Sequence, residues 1–443
     1  MISKDPSQKS IKSSEQNCFV YIVLPGKTEF VTAARFQISK TRIGDSIGKL
    51  IYGKNYLSNP NAVELDPVEL KLQADSYETV RMQGFFGAIR DAMPDFWGRQ
   101  LIQKNLGLTP LDDFGYLMHG PDDRAGALGF GLNVTPPAPR KLFNRTLNLE
   151  SLQILAELII QGPSPEIQNL PPPINPIDFQ QIQNLLLEGT SMGGARPKAV
   201  IEDKKILWIA KLSSPQDRWN QPLIEHALLK LAKKCGLTVA ESKIIQVAQK
   251  DVLLVRRFDR EFSQEALGYH RHRMVSALTL LKSDDSASSR ENWSYLALAD
   301  EIRRISAKPV DDLKELFQRM CFNALVSNLD DHPRNHAVLA KNSTWRLSPA
   351  YDLTPSPVIA QDKRFLAMTC GDAGRVAQEE NLLSACGRFM LSSEEAKDLL
   401  ISLVKTIQGE WESCLHRVGA SQKDISVIQT AFLYAGFFNQ DPQ

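Results

Sequence analysis

The stretch Arg319–Ser356, RMCFNALVSNLDDHPRNHAVLAKNSTWRLSPAYDLTPS, decides how this chain is read. Leading into it, Leu313, Leu316, Phe317, Met320, Ala324 and Leu325 recur at the i, i+3, i+4 spacing of one buried helix face. An acidic loop follows. Then His336–Ala340 and Trp345–Ser348 alternate across the polar turn Lys341–Thr344, the pattern of a hairpin. The loop carries Asp330 and, five positions on, Asn335, and a lone aspartate, Asp352, follows the hairpin. Asp-rich loops are mostly turns or helix caps, so Asp330 and Asp331 alone say little. Helix, Asp-x4-Asn, hairpin and Asp in that order say more.

That order matches the catalytic loop of a protein kinase, in which the Asp accepts the hydroxyl proton while the Asn and the later Asp hold metal. Working outward, the strand-like run Ile206–Leu212 is apolar but for Lys211, and a lysine in a strand buried on both faces is costly unless paired. Its candidate partner is Glu225, on the helical run Gln221–Cys235. A strand Lys joined to a helix Glu is how kinases hold the α- and β-phosphates; a snorkelling edge lysine is the plainer alternative. Before that strand, Thr190–Ala199 (TSMGGARPKA) lies between the helical run Phe179–Glu188 and the strand-like Ala199–Glu202. Gly193 and Gly194 would let backbone N–H groups approach an anion, with Arg196 or Lys198 to neutralise it, although a plain turn fits equally well. Strands Lys243–Val247 and Val252–Arg257 then lead to Arg257-Phe258-Asp259-Arg260, where a two-lobed kinase has its hinge.

A chain of 443 residues exceeds one core and implies two or three domains. Its 43% hydrophobic and 23% charged residues suit a soluble globular protein, and a net charge of +1 gives no global field toward nucleic acid or anionic membrane. Six scattered cysteines form no C-x-x-C pair, the polar N-terminus has no apolar signal core, and no apolar run reaches the roughly 18 residues of a membrane span. A cytoplasmic, reducing location is expected.

Residues 1–16 read as a disordered tail, rich in Ser, Lys and Gln. Cys18–Leu24 and Glu29–Ile38 read as a hairpin around Pro25-Gly26, followed by a mixed region with a helix over Gly84–Lys104 interrupted near Pro94. Two runs stand out there, Asp91–Arg99 (DAMPDFWGR) and Pro121–Leu128 (PDDRAGAL); the plainer reading makes Asp95 a helix cap and the second run a glycine loop before a strand. Proline-rich stretches, Val134–Arg140 and Gly162–Ile177, bracket a short helix at Leu149–Ile160 and mark a linker or domain edge. Beyond Ser356 the chain reads as helical. Ser392-x-x-Glu395 is a capping box for a helix with Leu399, Leu400, Leu403, Val404, Ile407 and Trp411 on one face, and Ser421 caps a last helix.

From about Cys18 onward the chain resembles the HipA family of serine/threonine kinases, the toxin partners of type II toxin–antitoxin systems. The resemblance is carried by SMGGARPKA (191–199), IAKL (209–212), the helix start Asn220–Glu225, RRFDR (256–260), LDDHPRN (329–335) and PAYDL (349–353), with MPDFWGRQLI (93–102) and DDRAGALGF (122–130) in the N-terminal region. It implies an α+β, two-lobed protein-kinase-like fold with an additional N-terminal α/β subdomain and a helical C-lobe. The expected division is subdomain 17–148, N-lobe-like region 149–275 and C-lobe 276–443. Asp330 would be the catalytic base, Asn335 and Asp352 the Mg²⁺ ligands, and Lys211, with Glu225, the contact to ATP phosphates. Met192, Gly193, Gly194, Ala195 and Lys198 would lie over the nucleotide, Phe258 and Arg257 by the adenine, and His332, Arg334 and Tyr351 around it. Ser191 falls where the family carries an autophosphorylated serine whose modification flips the loop out; a phosphate beside Lys198 gives a physical reason for such a switch. The family's targets are aminoacyl-tRNA synthetases, and its partner is a small helix-turn-helix antitoxin that carries it to DNA indirectly. The loop commonly reads T-D-x-H-x-K-N; here Leu329 replaces Thr and Arg334 replaces Lys, keeping charge but changing reach.

The expected function is therefore ATP-dependent phosphorylation of protein serine or threonine, self-limited at Ser191. Two other classes stay open: a silent kinase fold serving as a co-repressor platform for the antitoxin, and a small-molecule phosphotransferase sharing the Asp-x4-Asn logic.

Overall fold

The computed structural model of the chain describes residues 15–106, 110–139, 143–145, 149–161, 196–247, 249–357 and 362–438. The expected tail, apart from its last two residues, the helix at 179–188 and the loop residues Ser191, Met192, Gly193, Gly194 and Ala195 lie outside them, as does the proline-rich stretch 162–177.

The N-terminal region is an antiparallel sheet in the order Tyr77–Thr79, Ser46–Tyr52, Phe30–Lys40, Gln16–Val23, Leu128–Gly131. Its first hairpin turns where expected, at Pro25-Gly26, with Gly26 in the left-handed region at φ 71 and Lys27 N–H donating to the Leu24 carbonyl at 3.0 Å. Strand alternation sends Val20, Ile22, Phe36, Ile38 and Leu50 to one face, where they are buried. The helical run expected over 84–104 is two helices, Gly87–Asp91 and Phe96–Leu106, separated at Pro94; the Asp95 carboxylate accepts from Gly98 N–H at 2.8 Å and so caps the second.

A second sheet follows in the order Asn144–Arg145, Lys198–Asp203, Ile206–Lys211, Lys250–Arg256, Ser242–Val247, antiparallel except for its first pair. Helix Gln221–Lys234, capped by the Asn220 side chain on Leu223 N–H at 3.2 Å, packs on this sheet. Trp97 and Leu101 of the N-terminal region share a core with Leu152, Ala199, Ile201, Trp208 and Ala210, so packing does not divide the chain at 148/149. The largest core is likewise continuous, from Val20 and Phe36 through Ile224 and Leu228 to Phe317 and Met320.

The C-terminal part is built on helix Pro309–Leu325. The expected face is buried, but so are Arg319, Cys321, Phe322 and Asn323, because helices Tyr295–Ile305 and Ser393–Arg417 flank it. The hairpin pairs Ala337–Ala340 with Arg346–Leu347, and Arg273–Ser276 adds a third strand that the sequence pattern did not announce. The expected caps hold: Ser392 and Glu395 bond reciprocally as a capping box, and Ser421 caps Gln422–Ile428. One expectation fails. Residues 362–378 are not helical but carry isolated bridges Phe365–Val376 and Gly371–Gly374, and helices resume only at Glu379. Arg364 explains part of this: it is buried and donates to Ser327 Oγ at 2.5 Å and to the Thr430 carbonyl at 2.9 Å, fastening the segment across the helices. No helix among the described residues is long and apolar enough to cross a membrane.

Candidate active site

A cavity of about 520 Å³ is lined jointly by the second sheet, the run Arg256–Asp259 and the loop Asp330–Asn335. Lys211, last in its strand, enters it. Its ammonium donates to Glu225 at 2.6 Å and to Asp352 at 2.7 Å, so the partner expected from spacing is joined by the aspartate after the hairpin. Glu225 is fixed by the first turns of its capped helix and is buried; burial pushes its carboxyl up, and Lys211 opposes this. For Asp352 the balance reverses: burial pushes upward, but the Lys211 ammonium outweighs it and the carboxyl lies below its ordinary value. Lys211 itself is raised, its two carboxylates overriding the effect of burial. Asp352 stands at φ 59, a left-handed conformation that costs energy in a non-glycine residue and aims its carboxylate at Lys211.

The loop Asp330–Asn335 closes the opposite side. Asp330, His332, Arg334 and Asn335 all line the cavity. A short 3-10 turn at Pro333–Asn335 brings Asn335 back under Asp330, its amide nitrogen at 3.4 Å from the Asp330 carbonyl. Arg334 is clamped by Asp285, at 3.0 and 2.6 Å, with Asp91 at 3.6 Å, and its carbonyl accepts from the Tyr351 hydroxyl at 2.8 Å. His332 Nδ1 is buried and finds no hydrogen-bond partner among the described residues, and its ring meets Trp293 edge-on.

Phe258 and Tyr351 lie with ring centroids 5.7 Å apart, and both line the cavity along with Ile209 and Val255. Arg257 also lines the cavity, but its guanidinium is committed elsewhere: it is sealed from solvent and bonds Asp123, Asp259 (3.0 and 2.8 Å) and the Arg124 carbonyl (3.0 Å). Arg260 joins the same cluster through Gly126 and Arg124 carbonyls, and Asp259 receives Gly126 N–H at 2.9 Å. The Asp259 carboxyl is held far below its usual range by the two guanidiniums, against burial. The run Arg257–Arg260 is therefore fastened to the PDDRAGAL loop. Lys198 lines the cavity and pairs with Asp95 at 2.6 Å.

Sequence reasoning brought together Lys198, Lys211, Glu225, Phe258, Asp330, His332, Arg334, Asn335, Tyr351 and Asp352 without the parts that hold them. It missed the base of the loop. Asp331 is buried and accepts from Tyr295 Oη and from His336 Nε2 (2.6 Å), while Tyr295 Oη takes a bond from Asn323. Adjacent aspartates give no sequence signal for which is sunk and which lines the cavity. Asp91 and Asp285 were missed too, because ion pairs across long separations have no periodicity.

Among the described residues no group of three or more His, Cys, Asp or Glu is arranged around a common metal position. Mg²⁺ keeps several waters and binds through one or two hard oxygen donors plus substrate phosphates. The Asn335 amide oxygen and the Asp352 carboxylate are such donors and line one cavity.

With this geometry in view, comparisons with known proteins converge. A model of the HipA-like C-terminal domain matches residues 190–411, and one of the HipA N-terminal domain matches residues 38–131. The putative kinase Y4mE of Sinorhizobium fredii is 24% identical over 363 residues, 77% of this chain and 80% of its own length. The serine/threonine-protein kinase toxin HipA of Shewanella oneidensis is 26% identical over 160 residues, 33% of this chain and 37% of that protein. Among solved structures, a chain of the Shewanella oneidensis toxin–antitoxin complex of HipA, HipB and operator DNA superposes with a TM-score of 0.66 at 17% identity, covering 93% of this chain and 94% of that one. At that identity the likeness is one of fold, and it shows the kinase-like α+β architecture with its N-terminal region. With the HipA-like C-terminal domain spanning half of its residues and the HipA N-terminal domain matched ahead of it, this protein belongs to the HipA family.

Proposed function

We propose that this protein is an ATP-dependent serine/threonine protein kinase. The observation that carries the reading is a single one: Lys211, held between Glu225 and Asp352, opens into the cavity that Asp330 and Asn335 also line. Asp330 acts as base, taking the proton of the acceptor hydroxyl as its oxygen bonds to the γ-phosphorus and the bond to ADP breaks. Lys211 holds the α- and β-phosphates, and Lys198 adds a second cation at the phosphate end. Phe258 and Tyr351 receive the adenine. Asn335 and Asp352 would hold Mg²⁺, which when bound would neutralise charge on the phosphates.

The finer parts of the reading rest on the family resemblance. The acceptor is a protein, an aminoacyl-tRNA synthetase being the class the resemblance implies. Ser191 is the site of self-limiting phosphorylation, and the partner is a small helix-turn-helix antitoxin that brings the complex to DNA. The solved relative, crystallised with HipB and operator DNA, supports that partner.

The test is transfer of labelled phosphate from MgATP to the protein itself and to a panel of purified synthetases, wild type beside Asp330→Asn. Transfer by wild type, abolished in a variant of unchanged thermal stability, is expected. Equal transfer by Asp330→Asn refutes the base, and a wild type that binds ATP without transferring phosphate to any protein refutes the kinase.

A further inference from the structure

Two runs singled out in the sequence, DAMPDFWGR and PDDRAGAL, have no part in the proposed chemistry, yet both end on the cavity. The first does so most pointedly. Lys198 and Lys211 are direct cross-strand partners in the antiparallel pair Lys198–Asp203 and Ile206–Lys211, so their side chains leave the same face side by side. Both line the cavity. Like charges directly opposite on a sheet repel, and two nearly buried ammoniums do so in a medium that screens them poorly. Each therefore has its own carboxylate. Lys211 has Glu225 and Asp352; Lys198 has Asp95, at 2.6 Å, with side-chain exposures of 4% and 8%.

Asp95 is well placed for that duty. Its second oxygen caps the helix Phe96–Leu106 through Gly98 N–H, and Trp97 and Leu101 of that helix share a core with Ala199, the neighbour of Lys198. The start of this helix thus meets the start of the strand in two ways, through a shared apolar core that includes Ala199 and through charge at Lys198. We infer that Asp95, from the N-terminal region, is the positioning residue that keeps Lys198 beside Lys211 as a two-cation seat for the phosphates of a nucleotide. The inference rests on the nucleotide reading above and assigns that site a part from outside its two lobes.

The test is a double-mutant cycle on ATP affinity in the full chain, with wild type, Asp95→Asn, Lys198→Ala and both together. Asn keeps an oxygen for the Gly98 cap, so the helix stays closed while the charge is lost. Asp95→Asn is expected to weaken ATP binding about fivefold, and to cost nothing further once Lys198 is Ala, since a positioning residue has no effect without what it positions. In turnover the loss should fall on KM for ATP and spare kcat. Wild-type or tighter ATP binding by Asp95→Asn, or a loss fully additive to that of Lys198→Ala, overturns the inference while leaving the nucleotide reading intact. Absence of ATP binding in wild type overturns both. If Asp95→Asn fails to fold, Asp95→Ser, which also caps, carries the same cycle.

Discussion

At Lys211 two demands meet in one side chain. Its ammonium neutralises a buried glutamate and, on the proposed reading, meets an incoming anion. Removing it leaves Glu225 buried without its cation, an arrangement that costs about 3 kcal/mol where a buried pair loses one member. Lys211→Met should therefore lower thermal stability and ATP affinity together. In Lys211→Met/Glu225→Gln the sealed charge is gone and only the more exposed Asp352 lacks its cation, so most of the stability should return while ATP affinity stays low; recovery of both in calorimetry and titration would remove Lys211 from the nucleotide site. The pair was legible in sequence because a single charge inside ILWIAKL demanded a partner. The Asp95 partner of Lys198 was not, being 103 positions distant, and the sequence reading saw only a helix cap there. Nor could Asp330 be told from Asp331. Which of two adjacent carboxylates sinks depends on Tyr295 and His336, and the first of these comes from another helix.

Between elements, the helix Gln221–Lys234 carries a pH response. His226 faces strand Ser242–Val247, its Nδ1 2.9 Å from Ser242 Oγ, and burial with the nearby Lys230 pulls it down to about 4. The folded protein thus keeps it neutral while the unfolded chain takes a proton near pH 6.5. Its contribution is fully present above pH 6.5 and is lost as pH falls toward 4, by about 3 kcal/mol at most. Urea denaturation at pH 7 and pH 4.5 should show His226→Gln losing distinctly less stability than wild type; parallel losses would refute the assignment. Elements that obey local rules were read correctly. The Ser392 box, the Pro25-Gly26 turn and the hairpin after Asn335 each announce themselves within a few residues. The strand Arg273–Ser276 did not, because it is a strand by virtue of a partner more than sixty positions later. Residues 362–378 misled for the same reason, since the bonds of Arg364 to Ser327 and Thr430 decide their path.

Across the whole molecule, periodicity told which faces are buried but not against what. The proline-rich stretches suggested an edge near 148, whereas Trp97 and Leu101 fill the same core as Ala199 and Trp208. A chain beginning at Leu149 should therefore lack a cooperative thermal transition, having lost the cover of one sheet face and the partners of its hinge. A sharp transition in circular dichroism would show the C-terminal part to be self-sufficient.

The cluster joining Asp123 and Arg124 to Arg257, Asp259 and Arg260 has a consequence for descent. Residues 134 positions apart share sealed charges, so a change of sign at one end strands a charge at the other. The hinge and the loop that grips it can be inherited only together, as one unit written in two places in the gene.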